Sequence, residues 1–157
     1  MTHPELVERV SHWLWHRCPL VLTEYSHARE IPDVIGWRRR SSYLVDCKIS
    51  LSDFRADLNK SFRTNGKGMG NYRYYACPTG ILASQDLPIK WGLLYVYPTV
   101  IKIVKPASRW EEPEIEKAER ELLVSALRRV HLRGDLEKIY KPLKYFKTII
   151  PLSPYQT

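Results

Sequence analysis

Apolar residues recur three and four apart at the start of the chain, where Leu6, Val7, Val10, Trp13 and Leu14 follow the capping-box sequence Thr2-His3-Pro4-Glu5. That spacing predicts a helix running to about Arg17. Its other face carries Glu5, Glu8 and His12, ordinarily a solvated set, although an acid there can also reach a metal on an adjoining sheet. The period then shortens. Residues 20–25, 32–37 and 43–49 are short apolar runs bounded by turn formers and read as strands. Helical spacing returns at Ser50-Leu51-Ser52-Asp53, a helix start whose buried stripe is Phe54, Leu58 and Phe62, with Arg55, Lys60 and Arg63 on its other faces. Residues 64–71 hold three glycines and no period, which predicts a mobile loop. It is no phosphate-binding P-loop, because Gly68 follows Lys67 where Ser or Thr is required. Further strands follow at 72–77, 91–97 and 100–105, the last two joined by Pro98-Thr99. A long helix begins near Pro113. Its acids Glu111, Glu112, Glu114 and Glu116 lie at the start and Arg128, Arg129, His131 and Arg133 at the end, as the helix dipole favours. Ile115, Ala118, Leu122, Ala126 and Val130 form its apolar stripe, and Gly134 stops it.

The order of elements predicts an α/β fold with a central mixed sheet flanked by helices. At 157 residues the chain is the size of one domain, able to bury about two-thirds of its unfolded surface. Residues 135–157 read as a basic, Pro-containing extension, with Lys138, Lys141, Lys144 and Lys147 set among Tyr140, Tyr145 and Phe146.

Charge changes the picture. Lys and Arg total 25 against 17 Asp and Glu, a net charge of +8, which favours a polyanionic partner, nucleic acid first. DNA is expected before RNA, and RNA is left open. The cysteines Cys18, Cys47 and Cys77 are far apart and have no zinc-finger spacing, so reduced thiols are expected. No apolar run has signal-peptide length or approaches the roughly 20 residues that cross a bilayer. A cytoplasmic protein with no membrane association is the expectation.

The candidate chemistry lies in Ile31-Pro32-Asp33-Val34 and Leu44-Val45-Asp46-Cys47-Lys48-Ile49. Asp46 and Lys48 share one strand face. With the turn at Arg38-Arg39-Arg40-Ser41, Trp37 pairs with Ser42, Ile35 faces Leu44 and Asp33 faces Asp46, with Cβ atoms roughly 5 Å apart. Two inward carboxylates that close call for a cation or a proton between them. The alternative is an Asp46–Lys48 salt bridge within an ordinary sheet.

Pro32-Asp33 followed by Asp46-Cys47-Lys48 on adjacent strands resembles the PD-(D/E)XK nuclease superfamily, whose core is that of restriction endonucleases. With Leu22-Thr23-Glu24, Lys48-Ile49-Ser50 and Asp53-Phe54-Arg55-Ala56-Asp57, the chain from about residue 5 to 97 looks similar to the MmcB-like branch of DNA-repair proteins. The resemblance implies that Asp33, Asp46 and the Cys47 carbonyl are ligands of magnesium, for which manganese substitutes. It also implies that Lys48 is the catalytic lysine, and that Glu24 or Glu8 adds an acid. The middle acid is Asp where the branch more often has Glu, and the glycine segment is an insertion.

A magnesium-dependent DNA nuclease is therefore expected, in repair, phage biology or defence. A non-catalytic nucleic-acid-binding module on the same fold and an assembly subunit docking through its tail are the alternatives. Cutting both strands at once needs two sites, hence a homodimer. Arg38, Arg39 and Arg40 at the hairpin tip, taken to lie next to the acids, together with Arg55, Lys60, Arg63 and Lys67, are the expected phosphate contacts. Tyr72, Tyr74 and Tyr75 are candidates to stack on unpaired bases, with the sheet core as the alternative.

Overall fold

The structure, a computed structural model, describes residues 1–25, 30–63 and 67–134. Six strands form one mixed sheet in the order β1-β2-β3-β4-β5-β6. They are β1 (Leu20–Thr23), β2 (Val34–Arg38), β3 (Ser41–Cys47), β4 (Tyr72–Cys77), β5 (Gly92–Val96) and β6 (Ile101–Lys105). The first three pair antiparallel, β3, β4 and β5 run parallel, and β6 returns antiparallel. Helix α1 (His3–Trp15) precedes the sheet, α2 (Leu51–Leu58) makes the crossover from β3 to β4, and α3 (Pro113–Leu132) follows β6. The α/β class and the mixed sheet flanked by helices are as the sequence predicts.

Alternation along the strands assigns the faces. Val34, Val45, Cys47, Tyr74, Ala76, Leu94 and Val96 meet Leu6, Val7, Val10 and Leu14 of α1 in one core. Gly36 lets that helix close on β2, since a Cβ there would lie 2.8 Å from Leu14 Cδ2. The opposite face carries Asp46 beside Tyr75, whose ring stacks on Trp91 at 4.3 Å and takes Phe54 of α2 edge-on at 4.9 Å. Thr2 and Glu5 close the predicted capping box on α1, and the Ser50 hydroxyl accepts the Asp53 N–H to start α2. Asp46 thus lies on the face opposite the α1 core, whereas Asp33, just before β2, lies 3.4 Å from His3 at the start of α1.

Two local expectations fail. Of the glycine segment, 64–66 lie outside the described residues, but Gly68, Met69 and Gly70 are buried rather than part of a mobile loop. The Met69 N–H donates to Glu30 Oε2 (2.7 Å), the Gly70 N–H to Glu119 Oε1 (2.8 Å), and Arg73 donates to the carbonyls of Gly68 and Gly70. Buried side-chain charges supply the backbone partners that a loop would otherwise take from water. Helix α2 stops at Leu58, and its buried residues are Phe54 and Asp57, so a carboxylate occupies a position on the inner face. The Phe62 side chain lies outside the described part.

The chain divides into two compact units, Met1–Glu119 and Arg120–Thr157. Within the first, Glu119 accepts from Trp37 Nε1 (2.9 Å) and Ser42 Oγ (2.6 Å), tying the start of α3 to the β2–β3 hairpin. Of the second, the described residues are the rest of α3 and its stop at Gly134, where φ is 75°. The tail from Asp135 lies outside the described residues. No described helix is long and apolar enough to cross a membrane.

Candidate functional site

The β2–β3 ladder has the predicted register, with Trp37 opposite Ser42 and Ile35 opposite Leu44, and it ends at Val34 opposite Val45. Asp33 lies one step beyond. Its backbone carbonyl accepts the Glu24 N–H (2.9 Å), and its carboxylate Oδ2 accepts the Cys47 N–H (2.7 Å) and lies 3.4 Å from His3 Nε2. The first acid is thereby clamped to the backbone next to Asp46. The Asp46 side chain is buried, at 1% exposure. Lys48 continues the parallel pairing through its N–H to the Ala76 carbonyl (2.8 Å), and its ammonium lies 3.7 Å from Asp57 Oδ1 and 4.0 Å from Asp53 Oδ1.

The structure places Arg63, not Lys48, against Asp46. From the short 3-10 turn Ser61–Arg63 after α2, the Arg63 guanidinium brings Nη2 to 2.5 Å from Asp46 Oδ2, Nη1 to 3.1 Å from Glu30 Oε1 and Nε to 2.8 Å from Asp57 Oδ2. Asp57 in turn accepts the Tyr75 hydroxyl (2.8 Å) and lies 2.8 Å from the Lys60 ammonium. The Asp46–Lys48 bridge that was the sequence's alternative is thus replaced by a larger buried network.

Burial dominates the electrostatics. It pushes the Asp46 carboxyl up from its ordinary 3.8 to about 7, against Arg63 and with the repulsion of Asp33 and Asp57. Burial likewise raises Glu30, although Arg63 opposes it. Burial also works against the charged form of Asp57, but Arg63, Lys60, Lys48 and the Tyr75 hydroxyl outweigh it and hold that carboxyl below its ordinary value. Glu30, Asp33, Asp46, Asp53 and Asp57 exceed Lys48, Lys60, Arg63 and Arg73, so the cluster carries surplus acid.

Among the described residues, no group of three or more His, Cys, Asp or Glu side chains is arranged to hold a metal. Asp33 and Asp46 are two hard oxygen donors. The Cys47 carbonyl leaves its strand on the same side as the N–H that meets Asp33, and so toward that acid. This oxygen set is of the kind magnesium takes, with water completing its shell. The two proposed third acids stand differently, with only Glu24 tied to the site, through its N–H to the Asp33 carbonyl. Glu24 is exposed with φ 45°, and Glu8 is exposed on α1, which covers the face opposite Asp46.

The expected phosphate contacts separate. Arg63 is buried at 2% exposure among carboxylates, so it is no surface contact. Arg55, Lys60 and Lys67 are exposed. Arg38, Arg39 and Arg40 lie at the far end of the β2–β3 pair from Asp33 and Asp46, not beside them. Strand rise over that length gives a separation of roughly 17 Å. Tyr74 and Tyr75 are buried, and Tyr72 stacks on Tyr43 at 5.1 Å, which gives these rings to the sheet rather than to bases.

Asp57, Glu30, His3 and Tyr75 were not expected in the site. Asp57 had a signal, because it falls three residues after Phe54 and so on the same inward stripe. Glu30 had none, since it reaches Arg63 only through tertiary folding.

No family model matches the chain, and no curated protein matches it. Among solved structures, the chain is similar to the SPO1766 protein of unknown function from Silicibacter pomeroyi, at 22% identity and a TM-score of 0.62, over 87% of this chain and 94% of that one. At that identity the likeness shows the fold alone.

Proposed function

We propose that the chain is a magnesium-dependent nuclease of the PD-(D/E)XK type acting on DNA. The observation that carries this reading is the bond from the Cys47 N–H to Asp33 Oδ2, which fixes one carboxylate beside Asp46 at the ladder end where Lys48 also emerges. Surplus acid in a buried cluster favours a cation, and the donors on offer are carboxylate and carbonyl oxygens, a fit for magnesium or manganese. Asp33, Asp46 and the Cys47 carbonyl would hold the ion. Bound there, it would supply Lewis-acid stabilisation of charge on a phosphodiester and lower the pKa of an attacking water. Lys48 adds a fixed positive charge beside the scissile phosphate, while Asp53 and Asp57 hold its ammonium in place. The exposed Arg55 and Lys67 and the distant hairpin arginines position the backbone of the nucleic acid without reading sequence.

A second reading is favoured by the contact between Arg63 and Asp46. A guanidinium already neutralising that acid suits a non-catalytic nucleic-acid-binding module on the same fold. One experiment separates them. Pure protein is incubated with labelled linear, circular, branched and single-stranded DNA, and with RNA, in magnesium, manganese or EDTA. The nuclease reading expects metal-dependent cleavage that disappears in Lys48→Ala and Asp46→Asn while circular dichroism shows both folded. Cleavage persisting in both folded variants removes the site from consideration, and binding without cleavage by the wild type leaves the module.

A further inference from the structure

We infer that Asp57 is a positioning residue of this site, which holds Lys48 and shares Arg63 with Asp46 so that Asp46 retains coordinating capacity for a divalent cation. The inference rests on the nuclease reading. Asp57 lies on the inner face of α2 at 2% exposure, and its two oxygens lie close to nitrogen and hydroxyl atoms of four side chains. Oδ2 meets Arg63 Nε at 2.8 Å and the Tyr75 hydroxyl at 2.8 Å. Oδ1 meets Lys60 Nζ at 2.8 Å, Arg63 Nη2 at 3.2 Å and Lys48 Nζ at 3.7 Å.

Anchoring α2 to the sheet requires less than this. The Tyr75 hydroxyl already reaches the helix from β4, and Phe54 packs on the same ring. The remaining contacts are charges, and two of the three cations concerned adjoin the proposed metal ligands. Arg63 Nη2 touches both Asp57 Oδ1 and Asp46 Oδ2. Its charge is therefore divided between them, and Glu30 takes a further share through Nη1. Lys48 shares a strand face with Asp46, yet its ammonium lies at Asp57 and Asp53. Asp57 therefore decides how much positive charge falls on Asp46. Without its charge, Arg63 is left with Asp46 and Glu30, and Lys48 with Asp53 and Asp46, so that a cation arriving at Asp46 competes with both.

Manganese chloride is the probe, with binding read by calorimetry on full-length protein, and cleavage of labelled DNA is read in parallel. Asp57→Asn keeps the shape and removes the charge. The Kd for manganese should rise about tenfold to a hundredfold, the range typical when an outer partner of a metal site is removed. The kcat should fall by a similar factor with KM for DNA unchanged, and Asp57→Glu should recover part of both. Tyr75→Phe removes only the hydroxyl bond that orients Asp57, and should raise the Kd about threefold to tenfold. It decides the matter where Asp57→Asn does not fold. An unchanged Kd and kcat in a folded Asp57→Asn, or in Tyr75→Phe where that variant stands alone, overturn the inference and leave the nuclease reading intact. A wild type that neither binds manganese nor cleaves any substrate overturns both.

Discussion

Replacing Asp46 by Asn removes a charge and keeps the shape, and the surroundings of that carboxyl set what the change is worth at each pH. Burial raises it from 3.8 to about 7 in the folded protein, whereas the unfolded chain keeps the ordinary value. Between those values the folded state holds a proton that the unfolded state has released. Stability from this group therefore falls as pH rises through the window from about 4 to about 7, and levels off above it. At about 1.4 kcal/mol for each pH unit crossed inside that window, the wild type should lose roughly 2–3 kcal/mol between pH 5 and pH 8 through Asp46 alone. The Asn variant has no such loss.

The measurement is urea unfolding of both proteins in EDTA at pH 5 and pH 8. The raised Glu30 and the lowered Asp57 are common to the two, so their direct contributions largely cancel in the difference. That difference should move by roughly 2–3 kcal/mol in favour of Asp46→Asn as pH rises. Manganese at pH 8 should restore the wild type by mass action on the folded state and leave the variant nearly unmoved. The opposite result is equally definite. If the variant is less stable by about 3 kcal/mol at both pH values, as when one partner of a buried ion pair is removed, Arg63 already balances an ionised Asp46. Failure of manganese to stabilise the wild type would then remove the physical basis of the metal site.

Three further outcomes follow from the geometry. Replacing Arg38, Arg39 and Arg40 together should weaken DNA binding and flatten its salt dependence on duplex DNA, by about 0.9 in log–log slope for each phosphate the variant no longer touches, with kcat at saturating DNA unchanged because the hairpin tip is remote from the acids; an unchanged slope in binding titrations would show that the tip does not touch the backbone. The amides of Met69 and Gly70, which donate to the buried acids Glu30 and Glu119, should exchange slowly in the free protein, and exchange at the rate of an open loop would contradict that packing. Gly92→Ala should lower stability by at least about 2 kcal/mol in urea titrations, since its Cβ would come 2.4 Å from Tyr74 Cε1 and 2.7 Å from the Ala107 backbone nitrogen; a decrease below about 0.5 kcal/mol would mean that β4 and β5 yield there.

The strands and helices were legible because each has one period over its length and a chemical boundary, such as Thr2 with Glu5 before α1 or Gly134 after α3. The hairpin register was legible for the same reason: a slip of one residue would have exchanged Ile35 and Leu44 with the residues of the opposite face. What could not be read were partnerships set by tertiary approach. Arg63 looked like a surface base on a helix, and only the meeting of the turn after α2 with Glu30 and Asp46 makes it a buried one. The glycine segment failed similarly, because glycines mark backbone freedom but do not reveal the carboxylates that remove it. The distance from hairpin tip to acids was available from the register itself. The turn and the facing acids occupy opposite ends of the same pair of strands.

The competing readings meet at one carboxylate, and Arg63 alone does not decide between them. A single guanidinium charge is spread over Glu30, Asp46 and Asp57, so its contact with Asp46 is not a full neutralisation. Lys60 and Lys48 go to Asp57, and Arg73 donates to the carbonyls of Gly68 and Gly70. Burial still pushes the Asp46 carboxyl up against Arg63 and Lys48, and Asp33 is held beside it by the Cys47 N–H. At Asp33 a binding module would have no need of the charge, because capping one amide at a ladder end does not require a carboxylate. The stability of Asp33→Asn therefore complements that of Asp46→Asn. In EDTA at pH 8 each variant should match or exceed the wild type, and the wild type should overtake both when manganese is added. Loss of stability in both variants, with no crossing on addition of manganese, would make these acids structural partners of the buried arginine.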